Sequence, residues 1–106
     1  MSSAVTTHVL DAALGRPAAG VPVRLEAADG TQVGSGMTDA DGRLRSLGPS
    51  SLDPGVYRLV FDVLAYHGPD AFYPTITVEF RIFTAGDHHH VPILLSPFAY
   101  STYRGS

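Results

Sequence analysis

The sequence predicts an all-β protein, an antiparallel sandwich of two sheets. Three observations carry this expectation. Short strand-like stretches recur along the whole chain with turn residues between them. Glycine and proline are abundant, at 11 and 8 of 106 residues, which suits many short strands better than helices. Several stretches alternate apolar and polar residues with period two, the mark of a half-buried strand.

Val5 to Asp11 reads as the first strand, and Gly15-Arg16-Pro17 with Ala18-Ala19-Gly20 as the turn after it. In Val21 to Ala27, Val21, Val23 and Leu25 alternate with Pro22, Arg24 and Glu26. Asp29-Gly30 is a hairpin signal. Thr31 to Thr38 is a weaker strand, diluted by Gly34 and Gly36. Asp39-Ala40-Asp41-Gly42 turns the chain into Arg43 to Leu47, and Gly48 to Gly55 is loop. In Val56 to Val63, Tyr57, Leu59, Phe61 and Val63 share one face. Leu64 to Ala71 is the only place for a short helix, which Gly68-Pro69 limits to about two turns. In Thr75 to Phe83, Ile76, Val78, Phe80 and Ile82 share one face. Thr84 to Asp87 turns, and His88 to Ser96 and Ala99 to Arg104 complete the chain. Seven or eight strands with little helix make a two-sheet sandwich the natural architecture.

The length suits one domain over residues 1–106, able to bury a core without disulfides or metal. Hydrophobic residues make up 44%, so a packed fold is expected rather than disorder. Without Cys there is neither a disulfide scaffold nor thiol catalysis, and the composition is compatible with the cytoplasm. A net charge of −3 without a basic cluster argues against a nucleic-acid partner. No apolar run reaches the roughly 20 residues that span a bilayer, so no membrane partner is expected. Met1-Ser2-Ser3 leads at once into a strand pattern, so no secretory signal is expected, and no peroxisomal tripeptide closes the sequence.

Tyr100-Ser101-Thr102-Tyr103-Arg104-Gly105-Ser106 follows closely on the apolar run Val91 to Leu95. An end tied to a core strand can form a rigid part of a site, although a docked tail is the plainer reading. Of the five histidines, His88 and His90 share one strand face and His89 takes the other. Such a pair can hold zinc, but no third ligand is evident, and a strand start with hydrogen-bonded histidines accounts for the run. His8 shares a face with Thr6 and Leu10, where a satisfied surface histidine is the plain reading. Arg43 follows Asp41-Gly42 and alone reads as a solvated strand-start arginine. Asp39 and Asp41 lack the further acidic ligands of a calcium loop and read as a turn. No Gly-rich phosphate loop, nucleophile elbow or His-Glu-x-x-His motif is present.

Jointly these residues carry more. Thr7-His8-Val9-Leu10-Asp11, Gly15-Arg16-Pro17-Ala18, Thr38 to Arg43, His88 to Pro97, and Tyr100 to Ser106 resemble the 5-hydroxyisourate hydrolase family. These are the transthyretin-related proteins of purine catabolism. The resemblance runs essentially end to end, and Tyr-Arg-Gly-Ser is specific, since transthyretins proper lack it. The resemblance implies a transthyretin-like sandwich of two four-stranded sheets, assembled as a homotetramer, a dimer of dimers. It places substrate sites in a channel between dimers, drawing residues from adjoining subunits. The family's site residues match His8, Arg43, His90, Tyr103 and Ser106. Ala99 stands where the family usually has Gly or another small residue, His89 replaces a frequent Tyr, and Leu64 to Ala71 is shorter than in many relatives.

The reaction implied is hydrolytic opening of a lactam ring in urate degradation, needing no cofactor. Water adds to a ring carbonyl of 5-hydroxyisourate, and a ring C–N bond breaks to give 2-oxo-4-hydroxy-4-carboxy-5-ureidoimidazoline. Histidine suits the proton transfers, with an ordinary pKa of about 6.5. His8 and His90 are the expected acid–base pair, with Ser106 relaying a proton or positioning water. Arg43 is expected to stabilise an oxyanion, and Tyr103 to bind substrate. Two rival readings are a transthyretin-type carrier, which wants apolar walls, and a zinc hydrolase using His8, His88 and His90.

Overall fold

The computed structural model describes residues 3–106. Met1 and Ser2, on which the reading of the first residues partly rests, lie outside the described residues. The strands are β1 (Val5–Asp11), β2 (Arg16–Pro17), β3 (Pro22–Ala27), β4 (Gln32–Met37), β5 (Arg43–Leu44), β6 (Gly55–Asp62), β7 (Thr75–Ile82), β8 (His89–His90), β9 (Ile93–Ser96) and β10 (Ala99–Thr102). The helix α1 is Val63–His67. One sheet runs β4-β3-β6-β7, antiparallel throughout.

The other sheet is built around β1. Counted by segments it has six strands rather than the expected four, with β10, β9, β1 and β2 in order and β5 and β8 also on β1. The segments nevertheless fall into four lanes. One edge of β1 carries β8 at Val5 and Thr6, then β9 from Val9. The other carries β5 at Thr7 and His8, then β2 from Leu10. The run expected from His88 to Ser96 breaks in two at Val91-Pro92, because proline has no N–H to give a ladder. Arg16 and Pro17, expected as turn, pair with the end of β1 because the chain folds back at Gly15 (φ 69).

The sandwich is antiparallel-rich, but β1 lies parallel to both β8 and β9. A hairpin forces antiparallel pairing; a chain crossing from the other sheet does not. The turn after β7 is such a crossing.

The core fills the space between the sheets. Val5, Val9, Ile93 and Leu95 from one sheet meet Leu25, Leu59, Phe61, Ile76 and Ile82 from the other, all almost free of solvent. Each such side chain contributes about 1.5–3 kcal/mol by leaving water. Period two holds along β6, where Tyr57, Leu59 and Phe61 face the core and Asp62 faces out.

α1 starts one residue before the expected position and ends at Gly68 (φ 99). The Asp62 carboxylate caps it by accepting the Ala65 N–H at 3.1 Å. Tyr66 on α1 donates its hydroxyl to Asp11 Oδ2 at 2.7 Å, and Leu14 N–H donates to Oδ1 at 2.9 Å. Burial works against the Asp11 carboxylate, but the Tyr66 hydroxyl and the Leu14 and Ala13 amides outweigh it and lower its pKa from about 3.8.

Tyr66→Phe is therefore expected to cost about 1.5–3 kcal/mol at neutral pH, the range for a hydrogen bond to a charged group. A depressed carboxylate stabilises the fold above its ordinary pKa, and that contribution fades as pH falls through the folded value. Urea unfolding should thus show the two proteins converging well below pH 3.8, and a constant difference down to strong acid would contradict this account.

Candidate functional site

The loop before β5 sets the position of Arg43. The Asp39 carboxylate accepts the N–H groups of Asp41 at 2.8 Å and Arg43 at 3.0 Å. The Arg43 amide above all, then the Asp41 amide and the Arg45 and Arg43 charges, hold its carboxyl below the usual range despite some desolvation. Gly42 has φ 74, and a Cβ there would lie 2.4 Å from the Val9 carbonyl oxygen. The Asp-Gly spacing is thus required by the backbone.

His8 stands opposite Arg43 in the β1–β5 ladder. Its Nε2 lies 2.9 Å from the Asp41 carbonyl oxygen. A carbonyl only accepts, so Nε2 carries the proton and Nδ1 is the open nitrogen.

On the other edge of β1, Thr6 pairs with His90. The Thr6 side chain is 5% exposed, and its hydroxyl touches two imidazoles: His90 Nδ1 at 2.8 Å and His88 Nε2 at 3.0 Å. Burial of the half-buried His90 is the largest influence lowering its pKa from 6.5, followed by the charges of Arg43, His8 and His88. Alternation along the strand sends His89 the other way, into a buried position 6.3 Å from the Phe80 ring.

The C-terminal segment straddles β8. Tyr103 and Arg104 line an apolar groove with Val78, Phe80, Phe83 and His89. Gly105 then bridges to His90, donating its N–H to the His90 carbonyl at 2.8 Å. A Cβ at Gly105 would sit 2.6 Å from His90 Cδ2, so only glycine lets the segment lie against that ring. Ser106 lines a pocket of about 200 Å³ with Thr6, Arg43, Arg45, His88 and His90.

Arg43, His90 and Ser106, expected as site residues, therefore line one pocket; His8 does not line it but stands opposite Arg43 in the adjoining ladder. Within one chain Tyr103 does not join them; it is 56% exposed and lines the apolar groove. Thr6, Thr7 and Arg45 join the pocket without having been singled out as site residues, and His88, considered only as a zinc ligand, joins it too. Period two in β1 already set Thr6 beside His8, but the pairing of Thr6 with His90 carries no mark in the sequence. Among the described residues, no three His, Asp or Glu side chains are close enough together to hold a metal ion.

The HIUase/Transthyretin family model matches residues 5–105. The chain belongs to this family. A 5-hydroxyisourate hydrolase from Salmonella typhi is 45% identical over 112 residues, covering 99% of this chain and 82% of the relative. The structure of Klebsiella pneumoniae 5-hydroxyisourate hydrolase superposes with a TM-score of 0.86 at 35% identity, over 100% of both chains. Sea bream transthyretin in complex with thyroxine superposes with a TM-score of 0.82 at 34% identity, over 95% of this chain and 93% of that one.

Gly105→Ala is expected to lift the C-terminal segment off His90. Amide exchange at position 105 should rise toward the open-chain rate, while the β1 and β9 core amides keep their protection. Retained protection at position 105 would show that the segment tolerates a side chain there.

Proposed function

We propose that the protein hydrolyses 5-hydroxyisourate to 2-oxo-4-hydroxy-4-carboxy-5-ureidoimidazoline, opening a lactam ring with activated water in urate degradation. The observation that carries this reading is the convergence of a guanidinium, imidazoles and a serine on one pocket, in a fold whose relatives include named 5-hydroxyisourate hydrolases. A carrier for an apolar ligand would want apolar walls, and Arg43, His88 and His90 are the opposite.

We assign the reaction to His8, Arg43, His90 and Ser106. Burial and neighbouring positive charge favour neutral His90, the form that accepts a proton from water. Arg43 stays cationic and presents a fixed fork of donors to the oxyanion formed when water adds to the carbonyl. His8 offers Nδ1 toward substrate because Nε2 is held by Asp41. Ser106 positions water or relays a proton; water itself is the nucleophile. No cofactor or metal is assigned a step.

We place Tyr103 in substrate contact from a neighbouring subunit of a homotetramer, a dimer of dimers. Its exposure supports this, as do two of the free sheet edges, β10, exposed along all its residues, and β7. Such edges invite pairing with another copy. The substrate is a small molecule, and we read the compartment as the cytoplasm, with which a chain lacking Cys is compatible. No described helix is long and apolar enough to cross a membrane.

The test generates 5-hydroxyisourate from urate with urate oxidase and follows its decay above the spontaneous rate. Wild-type protein should accelerate decay with or without a chelator, and Arg43→Ala should lose about 100–1000-fold in kcat/KM. A well-folded protein that leaves the decay rate unchanged would sink the hydrolase reading. The pH profile is a separate check. A lowered His90 pKa keeps the base neutral below pH 6.5, so the acid limb of kcat/KM should fall below that value. An acid limb above it would remove His90 from the role of base.

A further inference from the structure

We propose that Thr6 and His88 form, with His90, a two-step proton relay, in which the Thr6 hydroxyl passes a proton between His90 Nδ1 and His88 Nε2. The inference rests on the hydrolase reading and adds two positioning residues to it. Neither touches a reacting atom; both act through the His90 ring.

The geometry fixes the logic. A hydroxyl has one proton to donate, and its oxygen can accept another hydrogen bond. Thr6 Oγ1 lies within hydrogen-bond distance of both rings, at 2.8 Å from His90 Nδ1 and 3.0 Å from His88 Nε2. The relay requires that one ring donate to Thr6 while the other accepts from it. Two arrangements satisfy the buried hydroxyl equally. In the first, His90 Nδ1–H donates to Thr6, and Thr6 donates to His88; His90 Nε2 then holds a lone pair and is a base. In the second, His88 Nε2–H donates to Thr6, and Thr6 donates to His90 Nδ1; His90 Nε2 then carries a proton and is an acid. The same side chain thus takes both roles by exchanging one arrangement for the other.

The step balances. A water O–H bond breaks and a His90 Nε2–H bond forms, while the hydroxide oxygen bonds to the substrate carbonyl carbon. The Nδ1 proton moves to Thr6, and the Thr6 proton moves to His88 Nε2. His90 ends neutral and His88 ends as an imidazolium. When the ring C–N bond breaks, the Nε2 proton goes to the leaving nitrogen, and the chain runs back from His88 through Thr6 to Nδ1. Both histidines return to their starting forms.

The direction follows from exposure and charge. His90 is half-buried, whereas His88 is exposed, so water can solvate a cation on His88 far better. Arg43 and His8 also face His90 from β5 and β1, and Arg45 and Ser106 line the same pocket. The Arg43 charge opposes holding a positive charge on His90 while the oxyanion forms. Moving that charge out to His88 removes the conflict.

The test combines kinetics with histidine nitrogen NMR. Thr6→Val keeps the β-branched shape and removes the hydroxyl, and Thr6→Ser restores a hydroxyl. His88→Gln keeps a hydrogen-bonding group but cannot take up a proton. Thr6→Val and His88→Gln are each expected to lower kcat about 10–100-fold, below the span of a whole acid–base residue, with KM within about twofold. Thr6→Ser should recover most of kcat. The double variant should be no slower than the worse single variant, because both cut one chain. Full kcat in His88→Gln, or losses that multiply in the double variant, would overturn the relay. If wild-type protein fails to accelerate 5-hydroxyisourate decay, the hydrolase reading fails, and NMR still decides the hydrogen-bond arrangement. Above the histidine titration range, His90 Nδ1 and His88 Nε2 should together carry one proton in wild type. Two protons, or none, on those nitrogens would refute the arrangement on which the relay depends.

Discussion

The double pairing of β1 is the constraint on which the site rests. Its one edge holds β5 and so brings Arg43 opposite His8. Its other edge holds β8 and so brings His90 opposite Thr6. The two halves of the pocket come from segments more than forty residues apart and meet only because the same short strand lies between them. A strand paired on both sides cannot slip by one residue without turning every side chain to the opposite face. Val5 and Val9, buried in the core, resist that slip. Hydrophobic packing of the odd-numbered residues thereby fixes where the even-numbered Thr6 and His8 point.

The chemistry of the pocket grows from the cost of burying polar groups. A buried hydroxyl without a partner costs free energy, and Thr6 is satisfied by two imidazoles at once. The same contacts orient both rings. His8 is oriented likewise by the Asp41 carbonyl, which is itself placed by the Asp39 carboxylate turn. Gly105 completes the arrangement on the far side of His90, where a side chain would collide with the ring. His8, His88 and His90 are thus each held by a group that has its own structural reason to be there.

The sandwich alone does not dictate this chemistry. A transthyretin in complex with thyroxine and a 5-hydroxyisourate hydrolase share it with this chain at similar TM-scores. What differs is the side chains carried on a common frame, and function belongs to these rather than to the fold. Here a polar pocket and an apolar groove lie to either side of β8, reached by alternate residues of the run His88-His89-His90. Alternation on one strand separates the polar pocket from the groove that Tyr103 helps to line.

Much of this was legible in the residues in order. Period-two alternation gave β3, β6 and β7 almost to their ends, and Gly68-Pro69 limited the helix, because these are local effects of side-chain direction and backbone freedom. The motifs around His8, Arg43, His90 and Ser106 also stood out in order. Pairing between distant segments did not, since a two-residue strand such as β5 or β8 has no periodicity of its own and exists only where β1 supplies its hydrogen bonds. For the same reason the parallel course of β8 and β9, the turning of Tyr103 into the groove, and the meeting of Thr6 with His88 and His90 waited for the folded chain. Local sequence sets which face a side chain takes; the packing of two sheets sets what it meets there.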